Sequence, residues 1–256
     1  MGIVALMYHA ITNDRVTSLY DPHYSVSQET FQQQIQFIRS QNHLIKTIPS
    51  LLDKEEMYRN GCVCVTFDDG AVTDYEVAFP ILCDNNAQAD FFINTSTVDS
   101  NGYLDWHQIR EMQQHGMSIQ SHGHTHRYFD DLADDEIKKE LELSKKIIED
   151  KTGKEVTVFA PPGGRLKPAV WRIAEELGYK IICHSKPGVW SNDTKGIPRF
   201  AVLNGTSHEQ FVNWVNQNKQ VLFFGIASYN FRHGVKKILG NSQYEKLRRM
   251  ILGDGK

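Results

Sequence analysis

Short apolar runs recur along this chain, and between them apolar residues return every three or four positions. The runs predict strands at 3–8, 44–47, 62–67, 89–93, 117–121, 156–160, 180–184, 198–202 and 221–226. The intervening stretches carry helical periodicity. Phe31, Ile35 and Ile38 are spaced i, i+4, i+7, and Ile137, Leu141 and Ile148 mark a long surface helix at 134–151. Val170, Ile173, Ala174 and Leu177 mark another, closed by Gly178. Ser207 and Gln210 form a capping-box pattern that opens a helix over 208–217. Strand and helix alternating this often imply a parallel sheet, and 256 residues suit a closed or nearly closed barrel. An open doubly wound sheet is the other arrangement. The glycines form no G-x-G-x-x-G or P-loop pattern, so nucleotide binding has little support.

Polar residues with chemical potential sit where the predicted strands end. Cys62-Val63-Cys64-Val65 runs into Thr66-Phe67-Asp68-Asp69-Gly70. Two adjacent carboxylates beside a low-dielectric core repel each other and resist ionising, and a nearby cation would remove the conflict. It would also allow one acid to serve as ligand and the other as base. Taken alone, an Asp-Asp-Gly turn that merely ends the strand accounts for the pattern equally well. The second cluster shifts the balance. Ser121-His122-Gly123-His124-Thr125-His126 holds three imidazoles in five residues. His122 and His126 would share one face of a helical turn; His124 and His126 would share one face of an extended segment. Histidines with a remote Asp suit a nitrogen/oxygen metal site. A third strand-end stretch, Phe159-Ala160-Pro161-Pro162-Gly163-Gly164-Arg165, is either a rigid turn or a groove wall with backbone close to ligand.

Charge and cysteine usage narrow the class. The net charge of −3 gives no basic signature for nucleic acid. Cys62, Cys64, Cys83 and Cys183 lie mostly in apolar runs, which favours buried thiols over a disulfide framework. The first residues read as a strand rather than a leader, and the apolar run 221–226 is too short to span a bilayer. These points lead to an expected cytoplasmic location. Residues 228–256 hold seven Lys or Arg against Glu245 and Asp254, a charge of +5 that leaves −8 on the rest. The expected organisation is a barrel over 1–227 followed by a basic amphipathic helical tail over 228–256. That tail either packs on the barrel or touches an anionic membrane face or a lipid-linked glycan.

In order and spacing, Thr-Phe-Asp-Asp-Gly, His-x-x-x-His and the Pro-Pro-Gly turn resemble the polysaccharide deacetylases of carbohydrate esterase family four, over roughly residues 3–202. The resemblance implies an α/β fold, a distorted (β/α) barrel with about seven parallel strands. It implies a metal-dependent hydrolase removing acetyl groups from N-acetylated amino sugars of a surface glycan or its precursor. A divalent metal, zinc by the family's habit, would be held by Asp69, His122 and His126, with Asp68 as general base. Three protein ligands leave room for water and the acetyl carbonyl oxygen.

The sequence departs from the family pattern in places. Gly123 follows His122 where Ser or Thr is usual. Ala160 stands where many relatives carry Arg, and Gly163 where they often carry an aromatic. The late Leu-x-His motif, which supplies the acid, is missing. Leu6-Met7-Tyr8-His9 instead resembles the N-terminal histidine motif of the poly-N-acetylglucosamine deacetylase branch, and His9 becomes the candidate acid, since the first and last strands of a closed barrel are neighbours. Arg165 or Arg199 could orient Asp68 in place of the missing Arg. Trp106, Pro162, Gly163, Arg165 and Trp190 are the candidate substrate-binding residues. The other readings are a cyclic-amide hydrolase on the same fold and a non-catalytic glycan-binding protein.

Overall fold

The structure is a computed structural model that describes residues 2–13, 19–52, 61–191, 196–222, 225 and 227. Seven strands close into an all-parallel barrel. In chain order they are β1 (Ile3–Tyr8), β5 (Cys62–Phe67), β6 (Ala89–Ile93), β7 (Ser118–Ser121), β8 (Val158–Phe159), β9 (Ile181–His184) and β11 (Gly196–Ala201). The closing pairings are β1 with β5 (Leu6 opposite Val65) and β1 with β11 (Leu6 opposite Phe200). Four short strands complete the set. β2 (Ala10–Thr12) and β3 (Ser25–Ser27) pair only with each other, β4 (Leu44–Ile45) adds to the start of β5, and β10 (Val189–Trp190) runs antiparallel to the start of β1. The expected barrel of about seven parallel strands is therefore what the chain forms.

The helices are α1 (Gln28–Ser40), α2 (Ile48–Leu52), α3 (Phe79–Asp84), α4 (Trp106–Gln114), α5 (Asp134–Thr152), α6 (Pro168–Glu176) and α7 (His208–Val215). Ser27 caps α1 by accepting from the Thr30 N–H, and Ser207 caps α7 by accepting from the Gln210 N–H. The 221–226 run is not the strand its composition suggested. Its described residues, Val221, Leu222 and Gly225, are helical. A short apolar run lacks the periodicity that tells strand from helix. The tail expected at 228–256 lies outside the described residues, and no helix among the described residues is long and apolar enough to cross a membrane.

Alternation along each strand divides the core in two. Val4, Leu6, Tyr8, Val63, Val65 and Phe67 pack outward under the helices, whereas Ile3, Ala5, Cys62, Cys64, Phe92, Cys183 and Ile197 fill the barrel. Ala5, Cys62, Cys64 and Cys183 are small, which leaves room for longer groups on the same register. Asp68 follows Cys62, Cys64 and Thr66 at two-residue spacing, and Arg199 follows Ile197. The four cysteines are free, and Cys62, Cys64 and Cys183 are buried. At the seam, Gln217 accepts from the Gly2 N–H at 3.3 Å and donates to the Gly2 carbonyl at 2.6 Å.

Candidate metal centre and catalytic carboxylate

A single turn separates the fates of the two acids after β5. Asp68 keeps the inward strand register, and its N–H donates to the Tyr8 carbonyl at 3.0 Å. Asp69 has φ 78° and Gly70 φ 73°, so the chain swings out of the strand and the Asp69 carboxylate turns the other way. The left-handed region is costly for most side chains, and at Gly70 a Cβ would also lie 3.3 Å from Ile93. Backbone bonds pin the turn: Leu104 N–H to the Gly70 carbonyl and Val72 N–H to the Gly102 carbonyl.

Asp69 meets two imidazoles. Its Oδ1 lies 3.2 Å from His122 Nε2 and 3.0 Å from His126 Nε2, and the three atoms fall within 4.8 Å of one another. Burial raises the Asp69 carboxyl, but the close His122 and His126 imidazoles outweigh it and hold it well below the usual range. The same contact raises His126. Asp69 Oδ1 and His122 Nδ1 are buried without a satisfied hydrogen bond. The donors fit a divalent ion. They are two nitrogens and one oxygen, and ligands about 2.0–2.1 Å from a tetrahedral ion stand about 3.4 Å apart, close to the separations seen.

The histidine pair is brought together by a loop, not by the helical turn or extended segment that its spacing allowed. His122 directly follows β7 with its N–H on the Ile93 carbonyl, Gly123 takes φ 84° and His126 φ 58°. A Cβ at Gly123 would press on the Phe129 ring at 3.3 Å, which explains glycine here. Glu140 of α5 holds the loop from behind. Its Oε2 accepts the His124 and Thr125 N–H groups at 2.8 Å each, and its Oε1 accepts the Thr125 hydroxyl. Sequence reasoning missed Glu140. Its signal was an acid on the same helical face as Ile137, Leu141 and Ser144. His124 turns away, its Nδ1 2.8 Å from Thr95 Oγ1.

Asp68 is held by Arg199, the second of the two arginines the sequence offered. Nη1 donates to Oδ1 at 2.6 Å and Nη2 to Oδ2 at 2.8 Å, a bidentate pair with Arg199 0% exposed. Nη1 also reaches Thr66 Oγ1 at 3.1 Å. Burial pushes the Asp68 carboxyl up, but the Arg199 charge, with His122 behind it, leaves it below the ordinary value. The guanidinium beside Asp68 thus comes from β11. A deeper acid, Asp90, accepts the Ile48 N–H at 2.9 Å, and burial pushes its carboxyl up to about 7.

His9 follows β1 directly and is half-buried, its ring 4.7 Å from that of Tyr24. The Tyr8 carbonyl that receives the Asp68 N–H belongs to the preceding residue, so His9 stands beside Asp68 at the barrel mouth. Burial lowers its imidazole, with the Asp69 and Asp68 charges opposing. Its Nδ1 is buried without a hydrogen bond.

The groove residues divide. Pro162 is buried and Gly163 takes φ 64°; a Cβ there would lie 2.9 Å from Tyr128 Cε1. Tyr128, from the neighbouring loop, packs against this glycine. Arg165 stacks on that ring at 3.6 Å. Trp106 opens α4, and the Lys151 ammonium lies 5.9 Å over its ring. Trp190 is not in a groove-lining loop. It is 4% exposed in β10 and pairs with Ile3, at the opposite end of β1 from His9. Five residues of strand separate Ile3 from Tyr8, about 16 Å, so Trp190 plugs the far end of the barrel.

Comparison with known proteins agrees with this architecture. Residues 55–182 match the model of the family described as polysaccharide deacetylase. A peptidoglycan-N-acetylglucosamine deacetylase of Bacillus cereus is 31% identical over 150 residues, 57% of this chain and 68% of that protein. A poly-beta-1,6-N-acetyl-D-glucosamine N-deacetylase of Staphylococcus epidermidis is 24% identical over 238 residues, 82% of each chain. The structure of the Streptococcus pyogenes deacetylase PplD in complex with acetate superposes with a TM-score of 0.76 at 27% identity, covering 84% of this chain and 98% of that one. With the barrel, the divided carboxylates and the family model over half its length, this chain belongs to the polysaccharide deacetylase family.

Proposed function

We propose that the chain is a divalent-metal-dependent hydrolase that removes acetyl groups from N-acetylated amino sugars of a surface glycan or its precursor. The observation that carries this reading is the division of the adjacent acids: Asp69 faces two imidazoles, and Asp68 is clamped ionised by Arg199. Hydrolysis of an amide needs a water activated, a developing oxyanion stabilised and a leaving nitrogen protonated. Asp69, His122 and His126 would hold the ion, which supplies Lewis-acid polarisation and lowers the pKa of water. Asp68 accepts the water proton. The bidentate Arg199 fixes the direction of its lone pairs and keeps it unprotonated at neutral pH. His9, on the adjoining strand end, delivers the proton to the departing amine, the Asp69 and Asp68 charges opposing the burial that disfavours its imidazolium.

The test is acetate release from chitooligosaccharides by the protein loaded with zinc, cobalt or manganese, against the chelated protein. Release that needs the metal supports the reading. Metal bound without release would favour a glycan-binding protein, and turnover unaffected by chelation would sink the metal requirement.

For His9 the expected result is a split between substrates. His9→Ala should slow amide cleavage by ~10²–10⁴-fold and cleavage of an activated acetate ester far less, since a phenolate leaves without a proton. Equal losses on both substrates, with metal content unchanged, would reduce His9 to a packing role.

A further inference from the structure

Arg165 is an anomaly that the reaction does not use. It is 8% exposed, and its Nε and Nη1 are buried without a hydrogen-bond partner. The nearest carboxylate, Asp130 Oδ1, is 4.0 Å from Nη1, beyond hydrogen-bond distance. The guanidinium is kept in place by the Tyr128 ring at 3.6 Å and by the loop whose Gly163 abuts that ring. A buried charge without acceptors is costly, and a guanidinium presents a planar fork that suits a carboxylate or a phosphate. Asp130, itself 38% exposed, is the one ion-pair partner of Arg165 among the described residues, and the neighbouring cations are engaged elsewhere. Arg127 is engaged by Glu136 at 2.9 Å, and Lys167 donates to the Leu132 carbonyl, a neutral partner.

The position matters as much as the charge. Tyr128 lies two residues past His126, hence at most ~7 Å along the chain. That bound keeps Tyr128, the platform of Arg165, within about one sugar of the reacting acetamide. We infer that Arg165, set on Tyr128, forms a subsite for an anionic group, carboxylate or phosphate, on the sugar next to the one that is deacetylated. This rests on the N-deacetylase reading above and names its substrate class: an acidic glycan. The two loops that follow β7 and β8 would then divide the work, one toward the acetamide and the other toward the charge beside it.

Three tetrasaccharides test it with the metal-loaded protein: chitotetraose, the alternating N-acetylglucosamine–N-acetylmuramic acid tetramer, and a 6-phosphorylated chitotetraose. Equilibrium binding by calorimetry and acetate release are measured on each, at low and moderate salt. The wild type is expected to bind at least one acidic glycan about 10-fold or more tighter than chitotetraose, in line with a charge-assisted hydrogen bond. Which of the two it prefers names the anion. Arg165→Met should abolish that preference by weakening acidic-glycan binding more than chitotetraose binding, while Arg165→Lys, which keeps charge but loses the fork, should retain part of it. If Arg165→Met does not fold, as metal content and chitotetraose binding would reveal, Arg165→Lys reads the same ratio. Absence of any acidic preference in the wild type overturns the inference. So does a preference that survives Arg165→Met, or an equal loss on acidic and neutral glycans. Failure of the deacetylase reading has a different signature: no acetate from any of the three, whatever the binding ratios.

Discussion

Asp68→Asn is expected to retain its metal while acetate release falls by ~10²–10⁴-fold, the usual contribution of a general base. It is also expected to unfold more easily, because Arg199 is left as an unpaired charge inside the barrel. Breaking one side of a buried ion pair costs about 3–5 kcal/mol. Arg199→Met should cost a similar amount for the opposite reason. Without the guanidinium, burial of Asp68 is opposed only by the His122 and His9 charges, and its carboxyl rises. The base is competent only when ionised, so the acidic limb of the pH–rate profile should move to higher pH. Because the two side chains share one interaction, the double variant should lose less stability than the two singles added, while remaining inactive. Melting curves, metal content and pH–rate profiles read all of this. Additive stability losses would mean the pair is not coupled, and full activity in Asp68→Asn would remove it as the base.

Loss of the proposed metal ligands should have the second large effect. His122→Ala, His126→Ala and Asp69→Asn should each weaken metal binding beyond the ~10–100-fold typical of residues that only support a ligand. Activity should fall with metal content in all three. A stability readout makes the same point without turnover. A ligand present at 100 times its dissociation constant stabilises by about 2.7 kcal/mol, so the wild type should melt higher with added zinc. The variants should not respond at that concentration. An undiminished zinc-dependent rise in His122→Ala/His126→Ala would place the metal elsewhere.

Much of the fold was legible because the strands of a parallel barrel are buried on both faces and read as apolar runs. The run at 62–67 coincides with its strand residue for residue. The 221–226 run misled because six apolar residues fit a short helix equally well. Within the site, Asp69, His122 and His126 were legible as motifs since their spacing is local. The backbone that joins them was not, because the left-handed angles at Asp69, Gly123 and His126 are set by tertiary bonds to Gly70, Thr95 and Glu140. Arg199 could be nominated but not chosen over Arg165. The choice depends on which one shares an inward register with Asp68, 131 positions away. Trp190 looked like a loop residue because two strand residues leave no periodicity to read.

The barrel seam has a consequence for how the chain folds. Asp69, His122 and His126 lie within β5 to β7, a contiguous half-barrel that can gather its imidazoles before the rest of the sheet exists. Asp68 is different: its partner arrives on β11, on the far side of β1 from β5. In an open sheet the Asp68 carboxylate faces water and needs no counter-ion. Joining β11 to β1 takes away that water and delivers Arg199 in the same event, so desolvation and neutralisation coincide. The Gly2–Gln217 bonds lock the seam once it has formed. The long-range closing step, slow because it must bring distant segments together, is thus also the step that pairs and fixes the ionised Asp68 carboxylate.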